Sequence, residues 1–558
     1  MIKRIFLQTI ACLMIVNVCS FAQTARVSNP ILAGFYPDPS ICKVGNDYYM
    51  VNSTFAYYPG LPIFHSKDLA NWEQIGFAMD RPEQLDLEGA GVSRGLFAPA
   101  IRFHKGTYYI TCTHIDKGGN FIITAKNPKG PWSNPVYLPR VNGIDPSPFF
   151  DDNGKAYIVY NSVAPDDKPQ YDGHRTIRMY ELDLATLQTK GEEILLVNGG
   201  TDITQKPVWI EGPHIYKYNK MYYLLCAEGG TGFNHSAVVF RSKKIEGPYE
   251  PYKGNPILTQ RTLDVNRKKA VTSTGHADLV TAPDGSWYAV FLGCRPYAGG
   301  HYNTGRETFM APVKWKEDWP VILAPNETVP NKVTITGATA KDPLPFSSDF
   351  HFIDNFKNTT LNKRYQFLRT VKAPWYHINS ISGLLTIQLK PETCADKGNP
   401  AFIGFRQSHQ RGYAATALSF TPASPQEKAG LLVFQNEQHY YFLCQSIDNN
   451  QPVVQLYKGP GKEGGQPKLL EVYKIQTSTN QPLQLRIQTN GNAYAFYYAE
   501  KGSNNWRVLK EGVDASFLST ATAGGFVGCM YAMYATSNGA PTTNNAVFSL
   551  FESKGNDQ

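Results

Sequence analysis

The chain has 558 residues, 42% hydrophobic and 18% charged, which is enough apolar material for more than one packed domain. Aromatics reach 13%, with 33 Tyr, 30 Phe, 47 Gly and 38 Pro, a mixture that suits short strands and tight turns and excludes a helical bundle or a disordered chain. The excess of 54 Lys and Arg over 46 Asp and Glu, a net charge of +8, is spread without a basic run and argues against a nucleic-acid partner.

The first element in chain order is a leader. Lys3 and Arg4 precede a mostly apolar run from Ile5 to Val18, and Ser20-Phe21-Ala22 resembles a small-x-small cleavage site before Gln23. This predicts a secretory signal over 1–22, too short to stay in a bilayer as a permanent anchor, and an exported chain that is periplasmic or extracellular. Cys19 offers a competing reading as a lipidated tether, although Val18 is large for the position before such a cysteine. No later stretch approaches membrane-spanning length. Beyond the leader, Cys42, Cys112, Cys226, Cys294, Cys394, Cys444 and Cys529 lie far apart with no CxxC or Cys/His spacing. Thiol catalysis and structural zinc are therefore not expected.

A repeat follows. A turn residue, one or two aromatics and an apolar strand recur at Gly45–Val51, Gly106–Ile110, Gly154–Val159, Asn219–Leu224 and Gly285–Val290. With Tyr48, Tyr108, Tyr157, Tyr222 and Trp287 as markers, the spacings are 60, 49, 65 and 65 residues. Each marked strand follows another across a hairpin-type turn, and in most copies two further short strands come after it. Four strands per unit and five units predict an all-β, five-bladed β-propeller over 23–325. A sandwich or barrel with coincidental hairpins is the bland alternative.

Near residue 325 the pattern changes. Turn formers in Asn326–Asn331 and Lys341–Pro345 read as a linker over 326–345. Further strand-like runs, such as Ala429–Phe434 and His439–Leu443, predict a second all-β domain, a β-sandwich over 346–558.

In a propeller the innermost strand of each blade lines the central axis, so residues at the strand entrances converge. Counting back ten to twelve residues from each marker gives Asp38, Ala98, Asp145, Glu211 and His276. A lone Asp-Pro is usually turn chemistry. Three carboxylates around one axis repel, raise one another's pKa values, and persist where function or a bound cation compensates. Without Cys or Ser machinery, they suit glycosidic-bond hydrolysis, which needs one protonated carboxyl and one carboxylate. Glu211, with the apolar approach Pro207-Val208-Trp209-Ile210, reads as the acid. Asp38 reads as the base, and Asp145 as the charge that holds up the acid's pKa.

The segments Gly34–Ser40, Ile144–Phe150, Ile210–His214 and Gly305–Phe309 resemble the signatures of glycoside hydrolase family 43, in its β-xylosidase and α-L-arabinofuranosidase members. The stretches Phe352–Phe356, Tyr365–Arg369 and Val433–Glu437 resemble the concanavalin-like, jelly-roll sandwich beside those propellers. The resemblance implies an inverting mechanism with Asp38 as general base, Asp145 as pKa modulator and Glu211 as general acid. It also implies that Arg306 contacts a sugar hydroxyl or the carboxylates and that Phe55 lines the pocket. His276 would hold a water or a structural calcium ion on the axis, and no cofactor is required. Phe97 stands where relatives often carry Trp or Tyr.

These residues also have plainer readings. Arg306 could pair with Glu307 or another neighbour, His276 could be a satisfied core histidine, and Phe55 and Phe97 could be core residues. The implied activity is exo-acting release of terminal non-reducing β-D-xylose or α-L-arabinofuranose from hemicellulose oligosaccharides of xylan, arabinoxylan or xyloglucan. The rivals are an endo-arabinanase-like cleft enzyme, which would release long fragments, and a non-catalytic carbohydrate-binding propeller, which would turn over nothing. The expected partner is the oligosaccharide, and self-association of the chain stays open.

Overall fold

The computed structural model describes residues 24–339, 341, 344–476, 482–500 and 505–557, so the leader over 1–22, with Cys19, lies outside the described residues. Five antiparallel sheets follow one another along the first part of the chain. Blade I comprises Ser40–Val44, Asp47–Val51, Gly60–Ser66 and Glu73–Met79, and blade II Ala100–His104, Thr107–His114, Gly119–Ala125 and Val136–Tyr137. Blade III comprises Gly143–Phe150, Ala156–Val163, Arg175–Asp183 and Gln188–Asn198. Blade IV comprises Glu211–Tyr218, Met221–Glu228, Ser236–Ser242 and Glu250–Pro251, with Leu258–Thr259 also on its third strand. Blade V comprises Thr272–Thr281, Trp287–Cys294, Glu307–Lys316 and Trp319–Val321. Each marker aromatic opens the second strand of its blade, where its ring packs between sheets.

The five first strands neighbour one another around an axis, with blade I touching both blade II and blade V. One buried polar network ties them together. Asp278 of blade V takes both guanidinium ends of Arg102 of blade II, at 2.8 and 3.0 Å, and accepts from Ser40 Oγ of blade I at 2.7 Å. His214 Nδ1 of blade IV lies 3.0 Å from Arg102 Nη2 and 2.8 Å from Ser147 Oγ of blade III. Burial pushes the His214 imidazole down to about 3, so it stays neutral within this belt. All five blades thus share one buried set of hydrogen bonds, which fixes how their entrances face one another, while His214 Nε2 is left without a hydrogen-bond partner.

The segment read as a linker over 326–345 contains a strand. Lys332–Thr336 pairs antiparallel with the N-terminal strand Thr24–Ser28, and Ile31 and Leu32 donate to the Thr308 carbonyl of blade V. Alternation explains what the search for turn formers passed over: Val333 and Ile335 point inward while Lys332, Thr334 and Thr336 stay exposed.

The remaining strands, from His351–Asp354 to Asn545–Gly555, form two packed sheets of eight and seven strands, the β-sandwich. One sheet reaches into the propeller: Tyr57–Tyr58, from the blade I connection, pairs with Tyr365–Leu368 as its edge strand. Beside it Arg369, 1% exposed, pairs with Glu437 and donates to the Ala90 carbonyl. A buried arginine so fully paired locks the two domains in one orientation. The seven described cysteines are all free and buried.

Candidate active site

The entrances of four of the five first strands share a backbone device. Asp38, Asp145 and His276 adopt left-handed φ values of 52°, 57° and 51°, and in blade IV the residue with this conformation is Gly212, at 57°. Glu211 therefore stands one residue ahead of its counterparts, a shift that counting from the marker aromatics could not resolve. Glycine at 212 has a steric reason, because a Cβ there would lie 2.7 Å from His276 Nε2. Pairing slips at the same places, between Ile144 and Ser147, Glu211 and His214, and Gly275 and Asp278. Such irregularities re-aim side chains beside functional sites.

They aim them into one hollow of about 260 Å³, lined by Asp38, Phe55, Phe97, Asp145, Glu211, His276 and Arg306 together with Val208, Trp209 and Phe526. All seven residues singled out in the sequence meet there. Asp38, Asp145, Glu211, His276 and Arg306 are each 4–6% exposed, so their charges act on one another through little water.

Asp38 is held ionised. Burial favours its protonated form, but Arg306, His276, the Ser53 hydroxyl and His235 outweigh it and keep the carboxyl below its ordinary value. Arg306 Nη1 lies 3.1 Å from Oδ1 and Ser53 Oγ donates to Oδ2 at 2.6 Å. Glu307 is not the arginine's partner, because Arg295 occupies it at 2.6 and 2.9 Å.

Glu211 is in the opposite state. Burial and the charges of Asp145 and Asp38 push its carboxyl up to about 8, against the pull of His276 and Arg306. It is protonated at neutral pH, 173 residues along the chain yet in the same hollow as an ionised partner. Asp145 accepts the Gly212 N–H at 3.1 Å and lies 3.7 Å from His276 Nε2, which couples it to the backbone next to the acid. Burial would lower the His276 imidazole, but Asp145, Asp38 and Glu211 together raise it to about 9.

His276 is not a satisfied core histidine, since both its ring nitrogens are buried without a hydrogen-bond partner. Among the described residues no group of three or more His, Cys, Asp or Glu could hold a metal ion, and a lone imidazole is not the shell of six to eight oxygens that calcium takes.

Sequence reasoning missed two walls of the hollow. Phe526 comes from the sandwich, stacking on Phe55 at 5.9 Å and meeting Phe97 edge-on at 5.8 Å. Its backbone N–H donates to Ser93 Oγ at 2.9 Å, and Gly528 packs so tightly on Thr304 that a Cβ would lie 2.6 Å away. The guanidinium of Arg306 sits 5.5 Å from the Phe526 ring and 5.7 Å from Phe55. No local pattern marks Phe526; only the domain contact brings it here. Trp209 was visible in the run before Glu211 but was read only as apolar surroundings.

A protonated carboxyl and an ionised one across a small, aromatic-walled pocket can donate a proton to a leaving oxygen and take one from water. Comparison with known proteins agrees with this chemistry. The sequence model for glycosyl hydrolases family 43 matches residues 27–320, and that for the beta xylosidase C-terminal concanavalin A-like domain matches 353–554. A xylosidase/arabinosidase of Butyrivibrio fibrisolvens is 40% identical over 532 residues, 94% of this chain and 98% of that protein. The non-reducing end alpha-L-arabinofuranosidase BoGH43B of Bacteroides ovatus is 34% identical over 551 residues, 96% of each chain. The crystal structure of a GH43_12 protein from a capybara gut metagenome, 40% identical, superposes with a TM-score of 0.84 over 93% of this chain and 96% of that one.

Proposed function

The chain belongs to family 43 of the glycosyl hydrolases, and from that premise we propose that it releases single pentoses, both β-D-xylose and α-L-arabinofuranose, from the non-reducing ends of hemicellulose oligosaccharides with inversion. The observation that carries this reading is the hollow of about 260 Å³ in which Asp38, Asp145, Glu211 and Arg306 converge while Phe526 caps one side. It falls just below the roughly 300–1,000 Å³ of pockets that hold larger ligands, so it suits one sugar ring and not a chain running through a cleft. The names of the relatives divide between the two sugars, which supports a pocket open to both.

In this reading Asp38 takes a proton from a water as the water oxygen attacks the anomeric carbon. The glycosidic C–O bond breaks, its electron pair stays on the leaving oxygen, and Glu211 delivers its proton there. Asp145 keeps that proton on Glu211 through its charge and orients the neighbouring backbone through the Gly212 N–H. Arg306 holds Asp38 ionised and presents donors toward a sugar hydroxyl. Inversion needs room for the water, so the two carboxyls are expected roughly 6.5–9.5 Å apart when substrate is bound.

Proton NMR of early products tests the reading. An aryl β-D-xyloside should yield α-xylose first, and arabinoxylan fragments should lose single pentoses. First appearance of the β-anomer would mean retention, long fragments would mean endo cleavage, and no release from either sugar would overturn the enzyme reading. Export through the leader expected over 1–22 would bring the enzyme to these oligosaccharides. N-terminal sequencing of the mature chain should read from Gln23, and an intact leader would count against export.

A further inference from the structure

Trp209 stands out on three counts. It is 37% exposed, among the few large apolar side chains left open on the propeller, and it lines the catalytic hollow beside Glu211. Its backbone is left-handed, with φ 57°, which a bulky side chain adopts only when the surroundings impose it. The surroundings do impose it. Its N–H donates to the Gly173 carbonyl at 2.8 Å, and the preceding Val208 carbonyl accepts the Gly229 N–H at 2.7 Å. Asn161 donates to the Ile210 carbonyl and accepts from Arg175 Nη2 at 2.6 Å, and the Arg175 guanidinium lies 4.8 Å from the indole ring. An exposed aromatic held rigidly by a strained backbone and a backing arginine is costly unless something packs on its open face.

We propose that Trp209 is the platform for the leaving-group sugar, stacking the C–H face of a pyranose ring and selecting oligosaccharides over pentosides without a glycan aglycone. The inference rests on the reading of Glu211 as the proton donor. The atom Glu211 protonates belongs to both sugars, so the departing ring must lie on the solvent side of Glu211. Trp209 is on that side: it lines the same hollow at 37% exposure while Glu211 lies deeper at 5%. The apolar face of a pyranose on an indole is a stacking contact that tolerates any equatorially substituted ring.

The test compares two substrates that share the xylosyl unit and differ in the leaving group. Xylobiose places a sugar on the platform, whereas β-D-xylosyl fluoride leaves it bare. For Trp209→Ala, kcat/KM should fall about 10- to 100-fold more on xylobiose than on the fluoride, with inhibition by free xylose moving no more than the fluoride rate. Trp209→Tyr should recover most of the loss. Equal losses on both substrates, or weakened xylose inhibition, would show that Trp209 shapes the inner pocket instead. An unchanged rate on xylobiose would show that no sugar touches it. Inactivity of the unaltered enzyme on both substrates would sink the xylosidase part of the proposed function, a separate outcome.

Discussion

Asp38→Asn should abolish turnover on every glycoside while sugar binding survives. The side chain keeps its shape and its place beside Arg306 and Ser53, but an amide cannot accept a proton from water. Losing a general base costs about 10²–10⁴-fold in rate, and here every substrate needs the same attacking water, so good and poor leaving groups suffer alike. Single-turnover rates on aryl xyloside and arabinofuranoside, with xylose binding measured by calorimetry, read both halves of the expectation. Rates near those of the unaltered enzyme would remove Asp38 from the role, and lost binding would reassign it to holding the sugar through Arg306.

The second large effect depends on the leaving group. Glu211→Ala should slow unactivated oligosaccharides by about 10²–10⁴-fold but aryl glycosides with good leaving groups far less, since a stable phenolate departs without protonation. Equal losses on both would sink the assignment. The pH profile gives a second readout with a definite sign. Turnover requires Asp38 deprotonated and Glu211 protonated. Acidification should remove activity only below the usual carboxylate range, because Arg306, His276 and Ser53 outweigh the effect of burial on Asp38. Alkali should remove it as pH rises through about 8, where Glu211 gives up its proton. On oligosaccharides Glu211→Gln should erase that alkaline limb along with most of the rate, and an alkaline limb unmoved in the residual activity would mean that another group sets it.

Glu211 owes its state to company. Its carboxyl is buried with two others, and the same crowding that would destabilise a structural site keeps this one protonated. His276 takes up part of the excess negative charge, being raised to about 9 by the three carboxyls around it. A site with this balance is poised for proton transfer in both directions near neutrality.

Much of this was legible in one dimension because it is repeated. A turn, an aromatic and an apolar strand at Tyr48, Tyr108, Tyr157, Tyr222 and Trp287 are local features, encoded in adjacent residues, and repetition made the five blades countable. The same repetition pointed to Asp38, Asp145, Glu211 and His276, since equivalent positions around an axis must face one another. The sequence by itself therefore determined the propeller, the sandwich and the acidic centre. Tertiary structure decided the rest. Phe526 caps the hollow although it lies 433 residues from its anchor at Ser93, and no local pattern encodes a contact between domains. Arg306 adjoins Glu307 in the chain but pairs with Asp38, because Arg295 claims Glu307 first. Gly212, and not Glu211, occupies the left-handed position of blade IV, where a Cβ would lie 2.7 Å from His276 Nε2. Trp209 became a candidate platform only once its backbone, its backing arginine and its open face were seen together. Periodicity carries what neighbours along the chain impose on one another; which distant side chains share a cavity is settled only by packing.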